Sequence, residues 1–314
     1  MTAYIVRRIL QLAPVLLLVS AIVFFVFHIV PGDVAVIQLG EDADPAQVKA
    51  LRVELGLDKP LYVQYAVWLG DALHGDLGKS YINGQSVVSL VLEKFPATLE
   101  LAVLGSLLSL CISVPVGIIS AVRRGSWIDQ IARAVALLGY CLPRYWLAVL
   151  LILLFAVKVR WFPTAGYANL AEQPLTNLRY AALPVISLAV TLTAVQMRYL
   201  RAGLLDVIAQ DYVRTALAKG LSHRTTVLRH VLKNALIPFI TVVGLEFANL
   251  LGGLVVVEQI FSWPGVGWLM IESITERDYA VVQGVVLLVT IGFVLINLLV
   301  DIGYAYLDPR IRYA

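Results

Sequence analysis

"TLELAVLGSLLSLCISVPVGIISAV" occupies residues 98–122. It exceeds the roughly 20 apolar residues that carry a helix across the hydrocarbon core of a bilayer. Five further runs of the same kind lie at residues 9–30, 134–157, 180–200, 236–257 and 281–300. The last can continue to Leu307. The fourth is the weakest, because Thr191, Thr193 and Gln196 interrupt it. The 314 residues are 60% hydrophobic and 14% charged, where a soluble domain carries about 25% charge. The expected fold is all-α, a polytopic membrane protein with six transmembrane helices.

The first run follows Arg7 and Arg8, as a secretion signal would. Its apolar stretch is longer than a signal peptide's, and "FHIVPGD" (residues 27–33) has no small-x-small cleavage site. It reads as a retained span. Cys111 and Cys141 both fall inside spans and read as small apolar packers rather than a disulfide. His28, His74, His223 and His230 form no metal-ligand spacing and no HExxH pattern.

Six spans place both termini on one side, and Lys and Arg near span ends set which side. The segments that share a side with the termini hold Arg7, Arg8, Arg123, Arg124, Arg133, Arg198, Arg201, Arg214, Lys219, Arg224, Arg229, Lys233, Arg310 and Arg312. That is fourteen against nine on the other side, over a shorter length. Both termini are therefore expected in the cytoplasm. The net charge of +3 reflects this topology and does not point to nucleic acid.

Residues 31–97 then form an external insert between the first and second spans. It holds "HGDLGKS" (residues 74–80), which ends as a phosphate-binding loop does. The full pattern needs a glycine where Leu73 stands, and a strand before it. Leu61, Tyr65, Trp68 and Leu69 instead recur on one helix face. The stretch reads as a polar turn, on the wrong side of the membrane for cytoplasmic ATP.

Residues 201–233 read "RAGLLDVIAQDYVRTALAKGLSHRTTVLRHVLK". Leu204, Ile208, Tyr212 and Ala216 recur every four residues, an amphipathic helix spacing. Gly220 stops that helix, and Ser222 can cap a second one. The result is a helix–glycine–helix elbow. From periodicity alone it could lie on anionic lipid headgroups or dock a partner.

"DYVRTALAKGLSHRTTVLRHVLKNALIP" (residues 211–238) resembles the signature loop of ABC-importer permeases of the dipeptide, oligopeptide and nickel group. So do "VPGD" (30–33), "LGLDKPLYVQY" (55–65), "FPATLELA" (95–102), "LLGGLVVVEQIFSWPGVG" (250–267), "RDYAVVQGVVLL" (277–288) and "LDPRIRY" (307–313). The resemblance covers essentially the whole chain. One departure is that Thr215, Ala216 and Leu217 stand where the general loop has Glu-Ala-Ala. The resemblance implies the type I ABC-importer permease fold in a bacterial inner membrane. Residues 1–30 would be the N-terminus and first span, 31–97 an extracytoplasmic cap, and 98–314 a permease core with its coupling loop at 201–235. Implied partners are a homologous second permease, two cytoplasmic ATP-binding subunits, an extracytoplasmic substrate-binding protein and membrane lipid, with no nucleic acid. The chain would not be an enzyme and would carry no cofactor, since ATP would be bound by the partner subunits.

On this reading Arg214, Thr215, Ala216, Lys219, Gly220 and Leu221 couple the spans to the ATPases. Inside the spans, Arg144 in "CLPRYWLAV" is costly to bury and functional by default. It could line the passage and hold a substrate carboxylate, or pair structurally with Glu246; Glu246 could equally face a peptide's amino terminus. Gly244, Gly252 and Gly253 read as helix-packing positions, and Trp263 and Trp268 as interface residues. The expected cargo is di- or oligopeptide. Nickel or a nickel chelate is the alternative, since "PLYVQYAVWLGDALH" (60–74) resembles nickel permeases. An intramembrane enzyme, the reading from another class, lacks a visible nucleophile–base pair.

Overall fold

The computed structural model describes residues 2–29, 34–40 and 43–307. The "VPGD" stretch, Arg310 and Arg312 lie outside them. The chain runs α1 (Thr2–Ile29), α2 (Val34–Leu39), α3 (Pro45–Glu54), α4 (Leu61–Leu73), α5 (Val87–Val122), α6 (Trp127–Cys141), α7 (Arg144–Lys158) and α8 (Pro174–Ile208). It continues with α9 (Asp211–Ala218), α10 (His223–Gly253), α11 (Val255–Phe261), α12 (Val266–Thr275) and α13 (Tyr279–Leu307). The later half of α7 and the start of α10, Thr226–Val231, are wound as π-helix. There is no β-sheet among the described residues, only an isolated bridge between Lys79 and Ser86.

Five helices, α1, α5, α8, α10 and α13, are each long and apolar enough to cross a membrane. The run at 134–157, expected as one span, is instead α6 and α7, bent by 100°. Pro143 is the cause. It has no N–H to give the helix, and it drives Leu142 to an extended ψ of 124°. In place of a sixth straight span, the chain has a bent helix pair, a broken span or a re-entrant loop.

The helices divide into two compact units. One comprises Leu99–Trp263 and Leu295–Ala314. Its centre is α8, whose Leu188, Leu192, Leu200 and Leu204 are fully buried. Glycines bring neighbouring backbones close: a Cβ on Gly105 would come within 3.3 Å of Leu188, one on Gly117 within 3.2 Å of Leu200, and one on Gly139 within 3.2 Å of Val190. In a bilayer such close approach replaces the hydrophobic drive that water supplies elsewhere. Gln196, which weakened the fourth run, is buried, and its Oε1 accepts from Ser109 at 3.1 Å and Ser113 at 2.9 Å. A polar residue costs little there because protein, not lipid, surrounds it. Cys111 and Cys141 are both free and exposed, so neither packs as expected. They face outward from the unit, where a membrane side chain needs no protein neighbour.

The second unit comprises Thr2–Thr98 and Pro264–Val294. Its core gathers Leu77, Val87, Leu90 and Val91 with Val266, Leu269, Val281 and Val285. The insert is folded onto this unit. Asp44 caps α3 by accepting from Ala46 N at 2.9 Å, with Pro45 in the first turn. Tyr65 of α4 packs edge-on against Phe24 of α1 and hydrogen-bonds Ser20 at 2.9 Å. The "HGDLGKS" stretch is a turn, as expected. Asp76 accepts from Gly78 N at 2.9 Å, and Gly78 sits at φ +85°. Ser80 donates to Asp278, whose other oxygen accepts from Tyr81 N at 3.2 Å.

Candidate functional site

The elbow begins where α8 ends. The expected helix from Leu204 to Gly220 is broken: α8 stops at Ile208, Gln210 is extended at ψ 146°, and α9 is a separate element of eight residues. Leu204 and Ile208 thus belong to the spanning helix. The second arm is not separate either, since α10 runs from His223 to Gly253 as one helix. Ser222 caps it as expected, accepting from Thr225 N at 3.2 Å. Gly220 lies at φ +83°, with open space where a Cβ would be.

The short helix is anchored on one face only. Val213 is buried among Ala121, Leu200, Leu204, Val231, Ala235 and Phe239. Asn234 Nδ2 of α10 adds a hydrogen bond of 2.8 Å to the Tyr212 hydroxyl. Arg214, Thr215, Lys219, Gly220 and Leu221 are all exposed, and Ala216 is half-buried. Arg214 reaches Asp211 at 3.6 Å, but both side chains are in solvent, where such a pair contributes little.

The root of the elbow is held differently. Arg201 of α8 grips Asp129 of α6 with both Nε, at 2.8 Å, and Nη2, at 2.9 Å. Ser120 at the end of α5 donates to the same carboxylate at 2.6 Å, and Gly125 N at 2.9 Å. Asp129 is 1% exposed. A planar, bidentate pair with every oxygen satisfied is the arrangement in which a buried ion pair is rigid. It ties three helices together ten residues before α9 begins.

Inside the spans, Arg144 and Glu246 are half-buried, and neither forms an ion pair among the described residues. The structure does not bring them together as a pair. The Arg144 guanidinium lies 3.3 Å from where a Cβ of Gly253 would sit, so that glycine makes room for the arginine. Gly244 packs against Val300, as expected of a packing position, whereas Gly252 faces open space.

Two family descriptions cover the chain: binding-protein-dependent transport system inner membrane component over residues 113–313, and its N-terminal region over residues 1–102. The chain belongs to this family of importer membrane components. A peptide transport system permease protein of Brucella abortus is 42% identical over 313 residues, the whole of both chains. The glutathione transport system permease protein GsiC of Escherichia coli K12 is 40% identical, again over the whole of both. Among solved structures, the MetNI methionine ABC transporter in an inward-facing conformation matches 70% of this chain and 96% of its own, at 18% identity and a TM-score of 0.55. An amino acid ABC transporter with histidines matches 69% and 94%, at 17% and 0.53. These last two show the fold. The permease is thus a non-catalytic, multi-pass membrane subunit that works with an ATPase and a substrate-binding protein.

The permease also holds polar groups that the sequence reading passed over. Glu100 of α5 is an acid inside an apolar run, the signal that singled out Arg144. Its Oε1 is buried without a hydrogen bond, as is Oδ1 of Asn177 on α8. Asn177 Nδ2 donates to Ala168 O at 2.7 Å. Beside them the Tyr167 ring meets Trp263 edge-on at 4.8 Å, and Gly166 N donates to Phe261 O at 3.0 Å. Burial, then the Glu100 and Glu172 carboxylates, push the Tyr167 hydroxyl above its usual range. Trp263, expected at the interface, is fully buried, because this loop supplies it with protein neighbours in place of headgroups.

Proposed function

We propose that the permease forms half of the pathway through which an ABC importer takes up di- and oligopeptides, with a homologous second permease forming the other half. The observation that carries the cargo is the end-to-end kinship with permeases named for peptide and for glutathione, itself a short peptide-like molecule. Both termini and α9 face the cytoplasm, consistent with the fourteen-to-nine excess of basic residues on that side. Residues 31–97 face outward as a cap on which the binding protein docks.

In this reading α9 is the coupling helix. Its buried Val213 fixes it to the spans, while Arg214, Thr215, Lys219, Gly220 and Leu221 stay free to enter a groove of the ATPase. Ala216, half-buried at the edge, has no bulk to obstruct that contact. Arg144 and Glu246, half-buried and unpaired with each other, are available to the termini of a passing peptide.

Ala216→Glu, which puts bulk and charge on the contact edge, is expected to insert normally but to lose ATPase co-purification or peptide uptake in proteoliposomes. Wild-type assembly and uptake by that variant would reduce α9 to a membrane-surface hairpin. Uptake of a metal chelate, with no peptide transported by the wild-type complex, would overturn the cargo.

A further inference from the structure

Within the second unit, α1, the insert and the start of α13 line a half-open cavity of about 990 Å³. Small-molecule sites run to about 300–1,000 Å³. Its apolar wall carries Phe24, Phe27, Trp68, Tyr81 and Tyr279. These rings already pack on one another, Phe24 on Trp68 at 5.7 Å and Phe27 on Tyr279 at 5.7 Å, so the space stands open while its walls are held.

The polar lining is what singles the cavity out. Gln283 of α13 faces it, is 7% exposed, and its side-chain amide makes no hydrogen bond among the described residues. The amide opens onto the space instead of onto protein partners, so a ligand there can take up its donor and its acceptor in place of water. The Tyr81 hydroxyl is likewise without a hydrogen bond there, and Lys59 and Lys79 of one sign and Glu54 and Asp71 of the other line the space without an ion pair among the described residues. Lys79 belongs to the "HGDLGKS" turn, which Ser80 fastens to Asp278.

We propose that this cavity binds a short zwitterionic peptide on the permease itself. The aromatic wall takes a side chain, Gln283 hydrogen-bonds a peptide amide through donor and acceptor together, Lys59 and Lys79 meet the carboxylate, and Asp71 meets the ammonium. An anionic lipid headgroup would use the lysines and leave the acids and the amide without a function. Only the choice of ligand rests on the peptide reading; the site rests on the cavity.

The test is calorimetric titration of Ala-Phe-Ala into the assembled transporter in nanodiscs, without its binding protein. Saturable binding is expected. Gln283→Leu and the Lys59→Glu, Lys79→Glu double variant should each weaken it by about tenfold or more, as should acetyl and amide caps on the peptide. Thermal unfolding and co-purified ATPase monitor folding of each variant; if Gln283→Leu fails to fold, Gln283→Glu and the lysine variant still read the site. Binding unaffected by these changes, competition by phosphatidylglycerol but not by capping, or no saturable binding would each overturn the site. Peptide uptake with the binding protein is read in parallel. Uptake without cavity binding sinks the site and leaves the cargo standing, whereas cavity binding without uptake does the reverse.

Discussion

Two turns in this protein use nearly the same residues. "LGKS" (residues 77–80) closes the insert and "KGLS" (residues 219–222) closes the elbow. Each has a glycine in the left-handed region, Gly78 at φ +85° and Gly220 at φ +83°, with open space at the Cβ position. Their serines part company. Ser80 is 4% exposed and donates to Asp278, 198 residues away. Ser222 is exposed and bonds only its own next turn. One turn is bolted to a distant acceptor by its own serine, whereas the other is held through its neighbouring helix, by Val213 and the Tyr212 hydroxyl. Local chemistry makes both bends; the long-range partner decides which is fixed.

The largest effect expected on this contrast lies at the root of the elbow. Asp129→Ala leaves the Arg201 guanidinium, 17% exposed, without its carboxylate. Stranding a buried charge costs about 3–5 kcal/mol. Thermal unfolding of the detergent-solubilised permease should show it, and an unchanged transition would mean the pair is idle. The fixed turn comes next. Asp278→Ala removes the acceptor of Ser80 and Tyr81 N, at about 1–3 kcal/mol. Hydrogen exchange at residues 77–86 should rise while exchange in α9 stays as it was. Equal changes in both would erase the distinction between the turns.

Gly220→Val costs less, about 1 kcal/mol or more, because only its positive φ is strained and nothing crowds the site. Insertion should be normal, yet α9 would be re-aimed, so ATP hydrolysis without uptake is expected. Full uptake would show the angle of the elbow to be unimportant. The smallest effect concerns Tyr81, whose hydroxyl is pushed up to about 12 by burial first and the Asp278 charge second. A phenol raised above its unfolded value near 10 stabilises the fold fully below pH 10, and that contribution is lost as pH rises through about 12. Stability should therefore fall across that window and fall less in Tyr81→Phe.

The sequence carried the spans, because lipid demands long apolar runs, and it carried Gly220 and the Ser222 cap, because those are one-turn affairs. It showed residues 134–157 as one apolar run and gave no sign of the 100° break at Pro143. Asp129 and Arg201 were opaque. They lie 72 residues apart, and each alone reads as an ordinary charge near a span end. Glu100 was legible by the rule applied to Arg144 and was missed. Trp263 misled because a tryptophan beside a turn serves a headgroup or a protein neighbour equally well, and only the loop at Gly166 and Tyr167 says which.

One consequence follows from α8. Its 35 residues make a rod of about 52 Å at 1.5 Å per residue, well beyond the roughly 30 Å of hydrocarbon it crosses. Asn177 rides near one end, and α9 hangs from the other. A tilt of about 5° pivoted at either end sweeps the opposite end through about 4–5 Å, from the same length. If α9 is pushed, the helix would act as a lever arm, with the Arg201 grip on Asp129 placed where a fulcrum would be. A push on α9 would then be magnified by the time it reached Asn177, provided Pro184, the one proline inside the arm, stays straight under load.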